Sequence, residues 1–478
     1  MADINSKGIS LKALVDKGNN RIVFAESDVN FVDVLFSLLT MPLGTVIRLT
    51  RNHPPTGEIG CMNNLYSSIE NLDVQSLFTE ACKTMLLHPQ NEAETHCRSL
   101  KLRIDDSEPI RYFMCSSGHY DKCRSVSNYN TAPCGVCGKL MSHTKNMKKV
   151  ESARDRGVFA KGVTRFIVSD ELRITPPSTE RCFALLSNLG VKDGSTIEER
   201  TFNVGVNEVL NLLKCSLVST TALTQILLKH KPVPQLDDKN VTLGIFVQSQ
   251  SEGEASNSDG KMCVKLVLSK SKKIVCYAEA GEDFVDLLFS FLTLPLGYIV
   301  KNMHGNSFKG CINHLYNSVL DLDAEKSFKS DELKEMLVSP KLAPCFGYVN
   351  QLLDIEEASN QLYYMHSSKI LTKDKTHIPS GCHHYILTFT DPKSNEANSD
   401  GGFVKGPALF TITDSLIITP ISPISGISLL NRLKIPFSDI EERVVHVGKE
   451  EALRLLAALF VSESALTNAF IPREPKQE

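Results

Sequence analysis

No run of apolar residues in this sequence reaches the roughly 18 that a membrane-crossing helix needs. The longest, residues 31–49, is interrupted by Asp33, Ser37, Thr40, Pro42 and Arg48. Charge of one sign is lacking too: 52 Lys and Arg face 55 Asp and Glu, a formal −3. No whole-molecule field therefore draws the chain to nucleic acid or anionic lipid. The opening residues MADINSKGISLKALVDKGN hold no basic stretch followed by an apolar one, so no secretory signal is expected there. Also missing are a Gly-x-Gly-x-x-Gly, a phosphate loop, a nucleophile elbow and a paired-histidine zinc-protease motif. Nothing in the sequence asks for an enzyme. Tryptophan is absent, yet 42% hydrophobic and 22% charged residues are ordinary for a globular protein.

The 14 cysteines do not form a disulfide framework. Cys61, Cys182, Cys215, Cys276 and Cys311 each lie alone in an apolar run, where a thiol acts as a small hydrophobe. A secreted chain of this size would pair its thiols. The expectation is a reduced protein of the cytoplasm or nucleus, with no membrane partner.

What is present is internal repetition. FVDVLFSLLTMPLG (31–44) returns as FVDLLFSFLTLPLG (284–297), and CMNNLYSSIENLD (61–73) returns as CINHLYNSVLDLD (311–323). FAKGVTRFIVSDELRITPPS (159–178) returns as FVKGPALFTITDSLIITPIS (403–422). FNVGVNEVLNLLKCSLVSTTALTQ (202–225) returns, more worn, as VHVGKEEALRLLAALFVSESALTN (445–468). The spacing far exceeds the roughly 20–50 residues of a solenoid repeat. It indicates a tandem pair: a first repeat over 1–230, a linker over 231–260 rich in Ser, Gly, Asn and Glu, and a second repeat over 261–478.

Each repeat opens with two strand-like runs, LKALVD with RIVFAES and CVKLVLS with KIVCYAEA. Phe31, Val34, Leu35, Leu38 and Leu39 then fall at helical spacing, with Asp28 or Asn30 as cap and Pro42 as the stop; Pro295 plays that part in the second copy. Helices are expected over 61–71, 76–87 and 178–188. TRFIVSD and LRITPPS should pair, ERTFNVG should be a strand, and two helices should close the unit. Strands and helices mix without a strict βαβ rhythm, so the fold class expected is α+β: two homologous tandem domains, each able to bury its own core.

One constellation carries chemistry. Within RYFMCSSGHYDKCRSVSNYNTAPCGVCGKLM (111–141), Cys115, Cys123, Cys134 and Cys137 cluster. Cys134-Gly-Val-Cys137-Gly138 is a zinc-knuckle pattern: two thiolates two residues apart face one ion, and the glycine lets N–H groups turn toward the sulfurs. Cys115 and Cys123 would complete a structural four-cysteine zinc site in a zinc-ribbon-like insertion. Their separation exceeds the usual spacing, and His119 is a substitute ligand, with His143 more distant. A redox pair at Cys134 and Cys137 is the rival reading. In the second repeat His366 replaces Cys115 and the knuckle is missing, although His366, His377, Cys382 and His384 remain.

Other features have plain explanations. A basic run of Lys139, Lys145, Lys148, Lys149, Arg154, Arg156 and Lys161, opposed by Glu151 and Asp155, reads as a solvated loop. Its alternative is a phosphate-contacting loop, with Tyr112, Tyr120 and Tyr129 stacking on bases. Glu26, Asp28 and Asp33 recur as Glu279, Glu282 with Asp283, and Asp286, and helix capping accounts for them better than acid–base chemistry. Lys161-Gly162, Lys405-Gly406, Asp170 and Asp414 read as turn residues.

Taken together, the FVDVLFSLLTMPLG, CMNNLYSSIENLD, CGVCG and FVKG blocks resemble the plant family catalogued as domain of unknown function 674. The resemblance implies a land-plant protein, often with tandem copies, and implies no activity. Members commonly have a Cys-Pro-x-Cys-Gly knuckle; here Gly135 follows Cys134. The resulting expectation is a non-enzymatic interaction or scaffold protein with an unknown protein partner and one structural zinc. The alternatives are a zinc-ribbon nucleic-acid-binding protein and an enzyme with a site between the repeats.

Overall fold

The computed structural model describes residues 8–53, 59–118, 122–146, 157–162, 165–229, 262–303, 310–359, 362–366, 371–373, 375–378, 383–393 and 401–471. The expected linker 231–260 lies outside them. The first half runs β1 (Ile9–Asp16), β2 (Arg21–Ser27), α1 (Val29–Thr40), α2 (Leu43–Thr50), α3 (Met62–Asn71), α4 (Glu80–Leu87) and α5 (Glu94–Cys97). It continues with β3 (Tyr112–Met114), β4 (Ser125–Ser127), β5 (His143–Lys145), β6 (Phe166–Ser169), β7 (Ile174–Thr175), α6 (Thr179–Asn188), β8 (Ile197–Val204), α7 (Val206–Val218) and α8 (Ala222–Leu227). The second half holds β9 (Met262–Ser269), β10 (Ile274–Gly281), α9 (Glu282–Ser290), α10 (Leu296–Asn302), α11 (Ile312–Asp321), α12 (Ala324–Ser327) and α13 (Asp331–Val338). Then come β11 (Tyr363–His366), β12 (Leu371–Thr372), β13 (His384–Phe389), β14 (Leu409–Thr413), β15 (Ile418–Pro420), α14 (Pro423–Arg432), β16 (Ile440–Val447), α15 (Lys449–Val461) and α16 (Ala465–Phe470). The protein is α+β.

Local chemistry explains these elements. β1 alternates buried and exposed side chains, as a strand with one covered face does. Its turn into β2 is closed by Asp16, which accepts hydrogen bonds from Gly18 N (3.0 Å) and Asn19 Nδ2 (2.7 Å). Asp28 caps α1 by accepting from Asn30 N, and the chain leaves the helix at Met41 before Pro42. Almost every side chain of α1 is buried, which suits a helix with core on all sides.

Each half builds one five-stranded sheet, in the orders β7-β6-β2-β1-β8 and β15-β14-β10-β9-β16. A third sheet is shared: β12-β11-β13-β4-β3-β5, joined where β13 runs parallel to β4. The sequence suggests one self-sufficient core per repeat. The structure instead has one main apolar cluster that includes α1 and α9 and reaches both halves.

The halves interlock reciprocally. Leu43 N donates to Leu294 O and Leu296 N to Met41 O, both at 2.9 Å, on either side of a Pro42–Pro295 bridge. Ile174 N donates to Ser318 Oγ (2.8 Å), and Ile418 N donates to Ser68 Oγ (2.9 Å). Lys161 N reaches Ser327 O and Lys405 N reaches Ser76 O, both at 2.9 Å. Turn chemistry accounts for Lys161 and Lys405 in the sequence, but their backbones pin one half to the other.

Candidate metal centre

The four sequence-identified cysteines come together at one end of the shared sheet. Cys115 directly follows β3, Cys123 lies just before β4, and Cys134 and Cys137 sit in the turn before β5. All four sulfurs lie within 4.8 Å of one another. Cys115 and Cys137 sulfurs are 3.3 Å apart, and Cys123 and Cys137 are 3.7 Å apart. Tetrahedral zinc with bonds of about 2.3 Å sets its sulfurs about 3.8 Å apart, so the cluster has the right size. It also places Cys115 and Cys123 together despite their long separation in sequence. His119 lies outside the described residues.

The knuckle has the backbone that its sequence requires. Cys134 N donates to Lys139 O and Gly138 N donates to Cys134 O, both at 2.8 Å, so the segment folds back on itself. Gly138 takes φ +70, a left-handed conformation that glycine adopts without strain. Ser117 N points at the Cys115 sulfur (3.4 Å), and the Ser117 hydroxyl lies 3.1 Å from it. Cys115, Cys123 and Cys134 are buried against the main core, while Cys137 is exposed. The Lys139 N–H, then the Cys115 thiol, hold the Cys137 thiol down to about 7. Burial pushes Cys134 up to about 12, against the N–H groups of Val136 and Cys137 that favour its thiolate. The Ser117 hydroxyl favours the Cys123 thiolate, but burial and the neighbouring Cys137 and Cys115 thiols leave its pKa raised.

The second half does not bring a matching set into view. Cys382 and the side chains of His366 and His377 lie outside the described residues, and His384 packs at a tilt against Tyr364, ring centroids 6.0 Å apart. The halves also differ in strand order. After β3 the first half places its next strand, β4, innermost in the shared sheet, whereas after β11 the second half places β12 outermost and only then β13 innermost.

Of the basic run, Lys148, Lys149, Glu151, Arg154, Asp155 and Arg156 lie outside the described residues, as does Tyr120. Tyr112 and Tyr129 are buried, and Tyr112 packs on Tyr363 with ring centroids 5.4 Å apart. Those two rings are not available to stack on bases.

The recurring carboxylates serve the backbone. Asp28 is a cap, but Asp33 is not. Asp33 Oδ1 accepts from Phe159 N (3.0 Å) and Ala160 N (2.8 Å), and Oδ2 accepts from Val158 N. Asp286 Oδ1 accepts from Phe403 N (2.8 Å) and Val404 N (2.9 Å). Each thus ties the Phe-x-Lys-Gly segment of its own half to a core helix. Asp170 accepts from Thr224 N and Thr224 Oγ1, and Asp414 does the same with Thr467, all at 2.7–2.8 Å. Asp170, buried, and Asp414, half-buried, anchor the last helix of each half. The repeat itself was the signal for them, since both partners recur in sequence. Of the five cysteines read as core, Cys182 is only half-buried on α6.

A mixed α+β protein with two reciprocally interlocked halves and a four-thiolate cluster is the class these observations define. The chain belongs to the family described as "Protein of unknown function (DUF674)", whose model matches residues 5–450. No curated protein and no solved structure matches it. Among the described residues, no helix is long and apolar enough to cross a membrane.

Proposed function

We propose that this chain is a non-enzymatic interaction or scaffold protein of plant origin, its two halves descended from one copied unit and joined under the control of a single structural zinc. Cys115, Cys123, Cys134 and Cys137 hold the ion, and the unknown partner is a protein. The observation that carries this reading is the convergence of four sulfurs within 4.8 Å on a loop between strands of the shared sheet. Four thiolates close a tetrahedral ion, leaving no position for water or substrate, so the metal holds the fold rather than performing chemistry. Binding requires deprotonated thiols, and the charge of the ion offsets the burial cost of the Cys134 thiolate. The recurring buried carboxylates support the same reading, because their oxygens are engaged by backbone N–H groups. A Cys-rich chain with such a site belongs in a reducing compartment, cytoplasm or nucleus.

Metal analysis of the purified chain tests this. One zinc per chain is expected, with stoichiometric loss in both Cys115→Ser and Cys134→Ser. A metal-free native chain with the loop intact would end the proposal.

A further inference from the structure

We infer that Cys263 and His446 form a surface site for covalent capture of small-molecule disulfides of the glutathione class. The two residues face each other across the β9–β16 ladder, whose eight consecutive pairs run from Met262 with Val447 to Ser269 with Ile440. A ladder that long fixes their register, and directly opposed side chains are close neighbours. The Cys263 sulfur lies 3.4 Å from His446 Nδ1. Among the described cysteines only Cys137 and Cys263 are exposed, and Cys137 belongs to the metal cluster.

Cys263 is exposed, and its neighbour on the other strand is small. On the other flank of β9, Ala280 of β10 pairs with Val264, and the next residue, Gly281, has no side chain. A methyl group built there would meet only Ala408 O, at 4.0 Å. Cys263 thus faces the His446 imidazole on one flank and a residue without a side chain on the other. Two residues along the strand, Lys265 bridges to Glu279 (3.5 Å) and Glu442 (3.0 Å), one ammonium between two carboxylates. In the first half Ser10 and Asn203 hold the corresponding paired positions, so the thiol–imidazole pair is confined to the second half.

The chemistry is thiol–disulfide exchange. His446 Nδ1 accepts the Cys263 proton as the sulfur attacks one sulfur of the disulfide. A bond forms between Cys263 Sγ and that sulfur, and the original S–S bond breaks. The leaving thiolate takes its proton from the His446 imidazolium. One thiol and one disulfide give one mixed disulfide and one thiol, with no net oxidation.

The test treats the full-length, zinc-loaded chain with oxidised glutathione and maps adducts by peptide mass spectrometry. A single early adduct at Cys263 is expected, abolished in Cys263→Ser. In His446→Gln the adduct should still form at Cys263 but roughly tenfold more slowly, below the loss typical of a buried catalytic base because this pair is exposed. Gln at 446 keeps a polar, strand-compatible side chain, and an unchanged melting curve shows that the ladder is intact. A first adduct at Cys137, Cys382 or any other cysteine overturns the inference, and so does a wild-type rate in His446→Gln.

Discussion

Asp33 and Asp286 do the same task in the two halves, but Asp33 accepts on both its oxygens, and that difference separates their variants. Asp33 accepts on Oδ1 and Oδ2, whereas the Phe403 and Val404 N–H groups both donate to Asp286 Oδ1. An amide keeps one accepting oxygen and turns the other into a donor. Asp33→Asn should therefore set an amide N–H against Val158 N–H and cost about 1–3 kcal/mol, more than Asp286→Asn, as urea denaturation will report. The same pair shapes the pH dependence. Burial pushes Asp33 up to about 6 and Asp286 up to about 7, from 3.8. Both bind protons more tightly folded than unfolded, so their stability contribution is full below about pH 3.8 and is lost as pH rises through 6 and 7. Asp286→Asn has no proton to lose, and relative to the native chain it should be more stable at pH 8 than at pH 5. An equal difference at both pH values would sink this account of the buried carboxyl.

At the scale of elements, close joins lie where each half's third helix begins under the other half's penultimate helix. Gly60, just before α3, stands where a methyl group would come within 2.2 Å of Leu459 O of α15. Gly310, just before α11, stands where one would come within 2.1 Å of Ser216 O of α7. In both cases the obstructing atoms are backbone, which yields little. Gly310→Ala should thus cost on the order of 1–3 kcal/mol or more, and an unaltered melting temperature would contradict the close approach. The four-cysteine loop is the other element with a specific expectation, on the proposal that it holds zinc. Chelation should speed amide exchange over residues 112–118 and 122–145, and over 384–389 of β13, which borrows its inner neighbour from β4. Strands β1, β2 and β8 should keep their protection. Uniform exchange across all of these would show that the ion does not organise the shared sheet.

For the whole molecule, the reciprocal contacts make the halves behave as the two partners of a closed dimer that happen to share a chain. One continuous core and the paired Pro42–Pro295 crossing mean that separating them would expose the apolar faces of α1 and α9. Residues 1–230 and 261–478 expressed as two polypeptides should co-purify as a 1:1 complex, with each aggregating or self-pairing when made alone. Two well-behaved, folded monomers would refute the interlocking as a requirement for stability.

Much of the fold was legible because it is written in period and punctuation. The opening hairpins, the buried first helix with its Asp28 cap and proline stop, and the closing helices all follow from local pattern, and repetition made each reading twice as secure. The cysteine spacing marked the Cys134–Cys137 half of the four-thiol cluster, because the geometry of two thiols two residues apart is a short-range property of a turn. The pairing of Cys115 with Cys123 across an atypical gap was settled by β3 and β4 running side by side. What the chain order could not reveal is which half each apolar face covers. Hydrophobic burial has no direction and no partner preference, so the same blocks would serve two separate cores or one shared one. Hydrogen bonds that cross between the halves, from backbone N–H groups to the Ser68 and Ser318 hydroxyls and from the Lys161 and Lys405 N–H groups to carbonyls, have a partner and a direction, and they exist only once the two sheets and their helices are packed together.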